Sequence, residues 1–525
     1  MSLNKNHYLM IQLLAVIVFS LSGFIRGQTT APDSALQVII ENLEGEAISL
    51  SEVADLAMKN STSLGKVNAL YMAAEGNLTR ERGYFDPGLY FNLYYYDLDI
   101  PTSSFFAGAD VLQTTETTAQ TGLTLSLPIG TQLELGLNTY SLNSNSQFAF
   151  LNPEYNGFGS LSFRQPLLEG FTSNGRKDLT FAELQYDAAK AIYDQEVINI
   201  ISEVEIAYWN LYSAERNYGV QKLVRDRAKE FLVEAELREE AGLVGPEQVA
   251  NARTFLAEQE ILFIDQAEEL DNQSDFLATL IGTWPEPNSS RFKTTETPPS
   301  EFPIEPVDAM IDYALQSNLQ LKAVQDEIEA SYTLVDAAEW NVWPSLDLLG
   351  SISSAGLGGE TQNVIFGTDT LATTTSGSYG DMLNQVIKRD YPGWSIGVEF
   401  SLPIGLRSDI GEKDRLEALS DHVEQRYIEL SREIEKSIRK AHRELMHGNS
   451  RLRAAEDGVE AAQEQVRIGR INFQNGRTTA FELVRLGEDF AIAQRRYSEA
   501  LVRTVNAVAK LKQLTSGKYP ENLKK

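Results

Sequence analysis

The sequence contains no cysteine. That removes disulfides, thiolate metal sites and thiol nucleophiles together, while leaving the compartment open, because an oxidising periplasm tolerates thiol-free proteins as well. Histidine is scarce, with four in 525 residues. His7 lies in the opening stretch and His422 stands alone. His442 and His447 are five apart, which puts them on different faces of a helix rather than at ligating i, i+4 spacing; both are expected to face solvent. Basic residues are outnumbered, 45 against 74 acidic, for a net charge of −29, which argues against nucleic-acid partners. No glycine-rich phosphate loop, nucleophile elbow or zinc signature occurs. Acid pairs such as Glu239-Glu240 and Glu268-Glu269 sit on charged helical stretches, where a solvated face is the default and no polysaccharide-cleaving carboxylate cleft forms. No enzyme, cofactor or metal is therefore expected. Beyond the first thirty residues no window is apolar over the roughly 20 residues a spanning helix needs, so membrane residence would require a barrel.

The first stretch has Lys5, an apolar run from Tyr8 to Phe19, and then small and polar residues ending at Gly27. It reads as a secretory signal peptide over residues 1–27, with an uncleaved anchor as the alternative. The rest divides into two similar halves, 28–283 and 306–517, across a proline-rich bridge at 284–305 that opens with Trp284-Pro285-Glu286-Pro287, leaving a tail at 518–525. Each half runs helix, strand, loop, strand, long helix, tight turn, long helix. Ile48 to Arg82 and Pro306 to Val342 are expected to be helical. Long loops are expected from Asp97 to Thr118 and from Gly350 to Gly380.

Two periodicities dominate. Trp394, Ile396, Val398, Phe400 and Leu402 alternate with polar or small residues, as do Leu123, Leu125 and Leu127 and then Leu133, Leu135 and Leu137 around Pro128-Ile129-Gly130. Such strands suit a half-buried soluble sheet and a water-filled barrel equally. The second period is a three-four repeat: Leu483, Leu486, Phe490, Ala493, Tyr497, Ala500, Thr504, Ala507, Leu511 and Leu514 keep it without a miss. Val197, Ile201, Val204, Tyr208 and Leu211 follow it as well. Thr172 to Ala241, read as one helix, would extend about 105 Å, too long for a compact core, so these helices must pack lengthwise in a tube or rod. Glycine turns join each long pair, at Ala241-Gly242-Leu243-Val244-Gly245-Pro246 and at Asn475-Gly476-Arg477-Thr478-Thr479.

Four segments, GYFDPGL from Gly83, FRQPLLEG from Phe163, AGLVGPEQVANAR from Ala241 and FQNGRTTAFELVRL from Phe473, occur in that order with the closing Ala500 to Gly517 stretch. Together with the duplication they resemble the TolC family of outer-membrane efflux channels over about Ile48 to Gly517. The resemblance implies an α+β fold: long antiparallel helical hairpins in a trimeric α-barrel, plus strands pooled into one transmembrane β-barrel. It implies a homotrimer in the outer membrane with a large periplasmic portion, a periplasmic adaptor protein and an inner-membrane pump of RND or ABC type. By position, Gly242, Leu243, Val244, Gly476, Arg477 and Thr478 match adaptor-docking turns. Glu482 matches the first of two acidic pore-entrance positions, and Arg485 stands at the second, where the two types pair across a trimer. Phe473, Gln248 and Thr478 replace the polar latch partners of the best-known member, so that latch does not carry over. The Gln120–Leu142 hairpin exceeds the family pattern of two strands per half. A non-channel coiled-coil scaffold in the periplasm or at the surface remains the alternative.

Overall fold

The computed structural model describes residues 34–168, 172–287, 289–302, 304–366, 368–475, 477–517 and 519. The expected signal peptide lies outside them, as do Gly476 and the side chain of Phe473. In chain order the elements are α1 (Ser34–Glu41), β1 (Glu46–Ile48), α2 (Leu50–Asn60), α3 (Thr62–Gly83), β2 (Gly88–Pro101), β3 (Val111–Ser126), β4 (Gln132–Ser144) and β5 (Leu151–Pro166). After a helical turn at Thr172–Gly175 come α4 (Lys177–Glu240), α5 (Pro246–Ile281) and β6 (Phe292–Thr294). The second half has α6 (Val307–Ser317), α7 (Leu319–Asn341), β7 (Ser345–Thr361), β8 (Val364–Phe366), β9 (Asp369–Leu371), α8 (Tyr379–Lys388), β10 (Tyr391–Ser401), α9 (Arg407–Gln474) and α10 (Ala480–Leu514). The repeated programme is thus present, and among the described residues no helix is long and apolar enough to cross a membrane.

The chain forms two compact units. One holds the described residues up to Asn60, Ile201–Ile304 and Ala441–Lys510; the other holds Ser61–Ile200, Glu305–Lys440 and the described residues from Leu511. The second unit carries an antiparallel six-stranded sheet in the order β10-β7-β5-β4-β3-β2. The first carries a two-stranded parallel pair, β1 with β6, inside the proline-rich bridge.

Several expectations change. The stretches read as loops are largely strand: their Ser, Thr and Gly residues lie on both faces of a sheet whose strands pair with their neighbours. The two medium helices are each split, at Ser61 and Asn318. The Ser61 hydroxyl accepts from Leu64 N, and the Asn318 carboxamide accepts from Gln320 N and Leu321 N, so each caps a fresh start. The long helix begins at Lys177 rather than Thr172. Gly175 presses so close to the β3–β4 turn that a Cβ would lie 2.6 Å from Gly130 N. His442 is buried, not solvent-facing, because it shares the inward side of α9 with Ile438, Ala441 and Leu445; His447 is exposed. On α10 the expected seam is buried at Phe490, Ala500, Thr504, Ala507 and Leu511. A second seam, Ala491, Gln494, Ser498, Leu501, Val505 and Ala509, is buried beside it.

In the first unit, Glu215 departs far from the ordinary behaviour of a carboxyl. Glu215, 2% exposed, accepts hydrogen bonds from Thr294 N and Thr294 Oγ1, both at 2.6 Å. Burial raises its pKa to about 7 against the opposing effect of those bonds. A carboxyl raised above its unfolded value adds stability that is full below about pH 4.5 and is lost as pH rises through about 7. Thermal unfolding is therefore expected to shift downward between pH 5 and 8. Glu215→Gln, which keeps both Thr294 contacts, should remove a slope worth on the order of 2–3 kcal/mol. An unchanged slope in the variant would show that Glu215 titrates normally.

Candidate channel face and helix tips

Strand alternation divides the sheet into two chemically distinct faces. Following the register, Leu89, Leu123, Leu135, Leu161, Ile352 and Trp394 lie in one row across all six strands. Phe91, Leu93, Phe163, Ile396, Val398 and Phe400 share that face, and these side chains stay exposed, from 37% at Phe163 to 77% at Trp394. The opposite face carries Tyr90, Asn92, Gln120, Asn138, Asn156, Ser160, Ser162, Ser351, Ser353 and Ser395, with acids Glu116, Glu134, Glu154, Asp347 and Glu399. Arg164 is the basic residue on this face; it bonds the buried Asp347 carboxylate and lies 3.8 Å from Glu399. This cluster was not anticipated. Its signal was the charged alternation Leu346-Asp347-Leu348 opposite Val398-Glu399-Phe400.

A short helix sits on the apolar face, beginning at the end of the Gly350–Gly380 stretch read as loop and running on to Lys388. α8 opens with a capping box between Ser378 and Asp381. Its Met382 and Val386 fill space left by Gly157, Gly159 and Gly356; a Cβ on Gly159 would stand 2.8 Å from Val386. Gln385 Nε2 donates to Leu357 O at 3.1 Å, and Leu357 N donates to Gln385 Oε1 at 2.9 Å. This side chain closes the β7 backbone edge beyond the end of β10. The Tyr379 and Thr139 hydroxyls meet at 2.7 Å.

Both helix turns lie in the first unit. At the first, Gly242 adopts φ +69°, Leu243 N donates to Arg238 O at 2.9 Å and Gly242 N to Glu239 O at 2.8 Å. This is a Schellman closure. Pro246 then opens α5 behind Gly245, whose φ is −88°. Leu243 is 74% exposed, Val244 half-buried and Gln248 exposed. Below the turn, Phe231, Leu232, Ala235, Val249 and Ala252 pack together, and Arg253 reaches Glu236 at 3.0 Å across the hairpin.

At the second turn Arg477 N donates to Asn472 O at 2.8 Å, and Glu482 N donates to Thr479 Oγ1 at 3.2 Å, so Thr479 caps α10. Arg477 is exposed and Thr478 half-buried. Glu482 and Arg485 meet at 3.1 Å on the same helix rather than waiting for another chain. Phe481 packs on Phe231 with ring centroids 5.9 Å apart. One turn further, burial together with Asp489 and Glu258 raises the Glu488 pKa.

No space around Gly242 would be filled by a Cβ, so its need for glycine is conformational alone. Gly242→Ala is expected to destabilise the turn locally by about 1 kcal/mol, visible as faster amide exchange at residues 238–243. Gly245→Ala, at a φ open to any residue and equally uncrowded, should leave exchange unchanged. Equal behaviour of the two variants would refute the capping role.

The fold is similar to that of solved outer-membrane channels. Three solved channels share it at low identity: CmeC of Campylobacter jejuni (TM-score 0.58, 15% identity, 89% of this chain and 85% of that one), VceC of Vibrio cholerae (0.60, 16%, 89% and 96%) and the open state of MtrE of Neisseria gonorrhoeae (0.58, 16%, 89% and 89%). No curated protein sequence matches. Residues 310–517 match the family described as "Outer membrane efflux protein". The family match thus covers residues 310–517, and the fold shared with these solved channels extends over 89% of the chain.

Proposed function

We propose that the protein is the outer-membrane component of a tripartite efflux or type I secretion system: a passive homotrimeric conduit, gated at its periplasmic helix tips. The observation that carries this reading is the sheet. Outside the patch that α8 covers, its apolar face is exposed on all six strands, which are 11 to 17 residues long, enough to span a bilayer when tilted, while its other face is polar. In water such a band would be an aggregation hazard; against lipid it is what a barrel wall requires.

In this reading Gly242, Leu243, Val244, Gly476, Arg477 and Thr478 form the turns that meet a periplasmic adaptor, and the exposed Leu243 offers an apolar contact for it. Glu482, Arg485, Phe473 and Gln248 border the entrance, where the Glu482–Arg485 pair offsets part of the acidity. The repeats 28–283 and 306–517, the bridge 284–305 and the tail 518–525 are the functional divisions, with residues 1–27 removed on export. The protein does no chemistry of its own; energy would come from an RND or ABC pump in the inner membrane.

Five acids against one arginine on the polar face give each chain a net negative wall, which favours cations by focusing the field within the lumen. Purified protein should migrate as a trimer in unheated sodium dodecyl sulfate and conduct in planar bilayers with a cation-selective reversal potential. A monomer extracted in plain buffer, without conductance, would instead identify a coiled-coil scaffold.

A further inference from the structure

We infer that three copies close a barrel of eighteen strands, with β2 of each chain zipped to β10 of the next; this rests on the trimeric reading above. The occupant of each free edge is thus a second copy of this chain.

The sheet leaves β2 and β10 unpaired at its two edges. The strands alternate in direction, so the sixth runs opposite to the first. Placing β10 beside the next chain's β2 therefore continues an antiparallel sheet, which an odd count would forbid. The β3–β4 hairpin cannot be regarded as an appendage, since β3 and β4 are fully paired between β2 and β5. If the hairpin were excluded, β2 would have to abandon all of those bonds.

The apolar band fixes the parity of the edge register, and level strand ends choose among the even offsets. The row beginning at Leu89, one residue above the helix-side end of β2, arrives at Trp394, seven above the helix-side end of β10. Levelling those ends between neighbours sets Trp394 beside Tyr95, Ile396 beside Leu93, Val398 beside Phe91 and Phe400 beside Leu89. Every pair then puts apolar against apolar on the same face. A one-residue slip would turn each β10 side chain toward the wrong face. The stagger is about six residues per chain, or about eighteen around the ring. With about 3.3 Å rise and 4.8 Å strand spacing, the strands tilt by about 35°, the angle at which barrels close. The register inside one chain, combined with level strand ends at the edges, thus gives an allowed closure.

The resulting ring is about 34 Å across between backbones, against about 23 Å for twelve strands at the same tilt. Its cross-section is roughly twice as large, in the range where barrels hold open aqueous channels. The sheet section then sets no narrow size limit on cargo.

The test uses the full-length protein in lipid nanodiscs. Image averages of the unsubstituted protein should show a ring of eighteen strands. In parallel, Leu93→Cys with Ile396→Cys, both at exposed positions, should yield covalent dimers and trimers on oxidation. Leu93→Cys with Gly397→Cys, on opposite faces, should link far less. A trimer with a twelve-stranded ring of about 23 Å, or equal linking by the two pairs, overturns this inference and leaves the channel reading standing. A protein that forms no trimer overturns both.

Discussion

Leu161→Arg is expected to abolish the heat-resistant trimer, whereas Ser160→Arg, one residue away, should leave it intact. The two positions are adjacent on β5 and differ in the face they occupy. Leu161 pairs with Leu135 and Ile352 in the apolar row; Ser160 pairs with Gly136 and Ser353 on the polar face. An arginine facing the hydrocarbon midplane costs about 2–4 kcal/mol, and three copies carry it at once. On the polar face the guanidinium stays in water and has acidic neighbours on the same wall. Both variants would be assayed by mobility in sodium dodecyl sulfate before and after heating. Equal damage from the two would mean that the faces are not distinguished by lipid. Damage from Ser160→Arg alone would reverse the assignment.

Phe292→Ala should cost about 3–5 kcal/mol. The bridge between the repeats carries a three-residue strand, and Phe292 at 2% exposure is its most deeply buried ring; further along the bridge Phe302 packs on Leu452, Ala500 and Leu501. Phe292 N donates to Ser274 Oγ at 2.9 Å, Thr294 N to Glu215, and Thr295 N to the Tyr208 hydroxyl at 3.0 Å. The Phe292 strand also pairs in parallel with Glu46–Ile48, so the same strand fixes the start of the first repeat. Removing the ring should lower the urea midpoint and open the 284–305 stretch to protease. Trp284→Ala, at a 62% exposed position on the same bridge, should change stability by less than about 0.5 kcal/mol. A Phe292→Ala protein as protease-resistant as the parent would show that the bridge is held by other contacts.

The long helices and their turns were legible because a three-four period kept from Leu483 to Leu514 fits neither a strand nor a loop, and because glycine at Gly242 is demanded by a positive φ rather than by packing. The split at Ser61 and Asn318 was also written in the sequence, as capping residues inside apolar periodic runs. The extent of the sheet was harder to read. Gly157, Gly159 and Gly356 look like loop residues until α8 is seated on them, and the Ser and Thr runs look irregular until one face is known to be polar. His442 and the second seam of α10 escaped for a related reason. A helix packed on one side buries one stripe, whereas α10 buries two, and periodicity counted against one stripe assigns the second to solvent. The helix tips were placed correctly as turns, yet their partner lies outside the chain, so sequence and fold supply only the surface it would meet.

The central claim is that the apolar face of the sheet looks into lipid and the polar face into a water-filled lumen. Nitroxide labels placed one at a time along residues 132–144 of β4, in the trimer reconstituted in liposomes, test it most directly. Collision with oxygen should peak at residues 133, 135 and 137, and collision with a water-soluble nickel chelate at 134, 136 and 138. Uniform access of the nickel chelate to both sets would place the whole sheet in water and contradict the account.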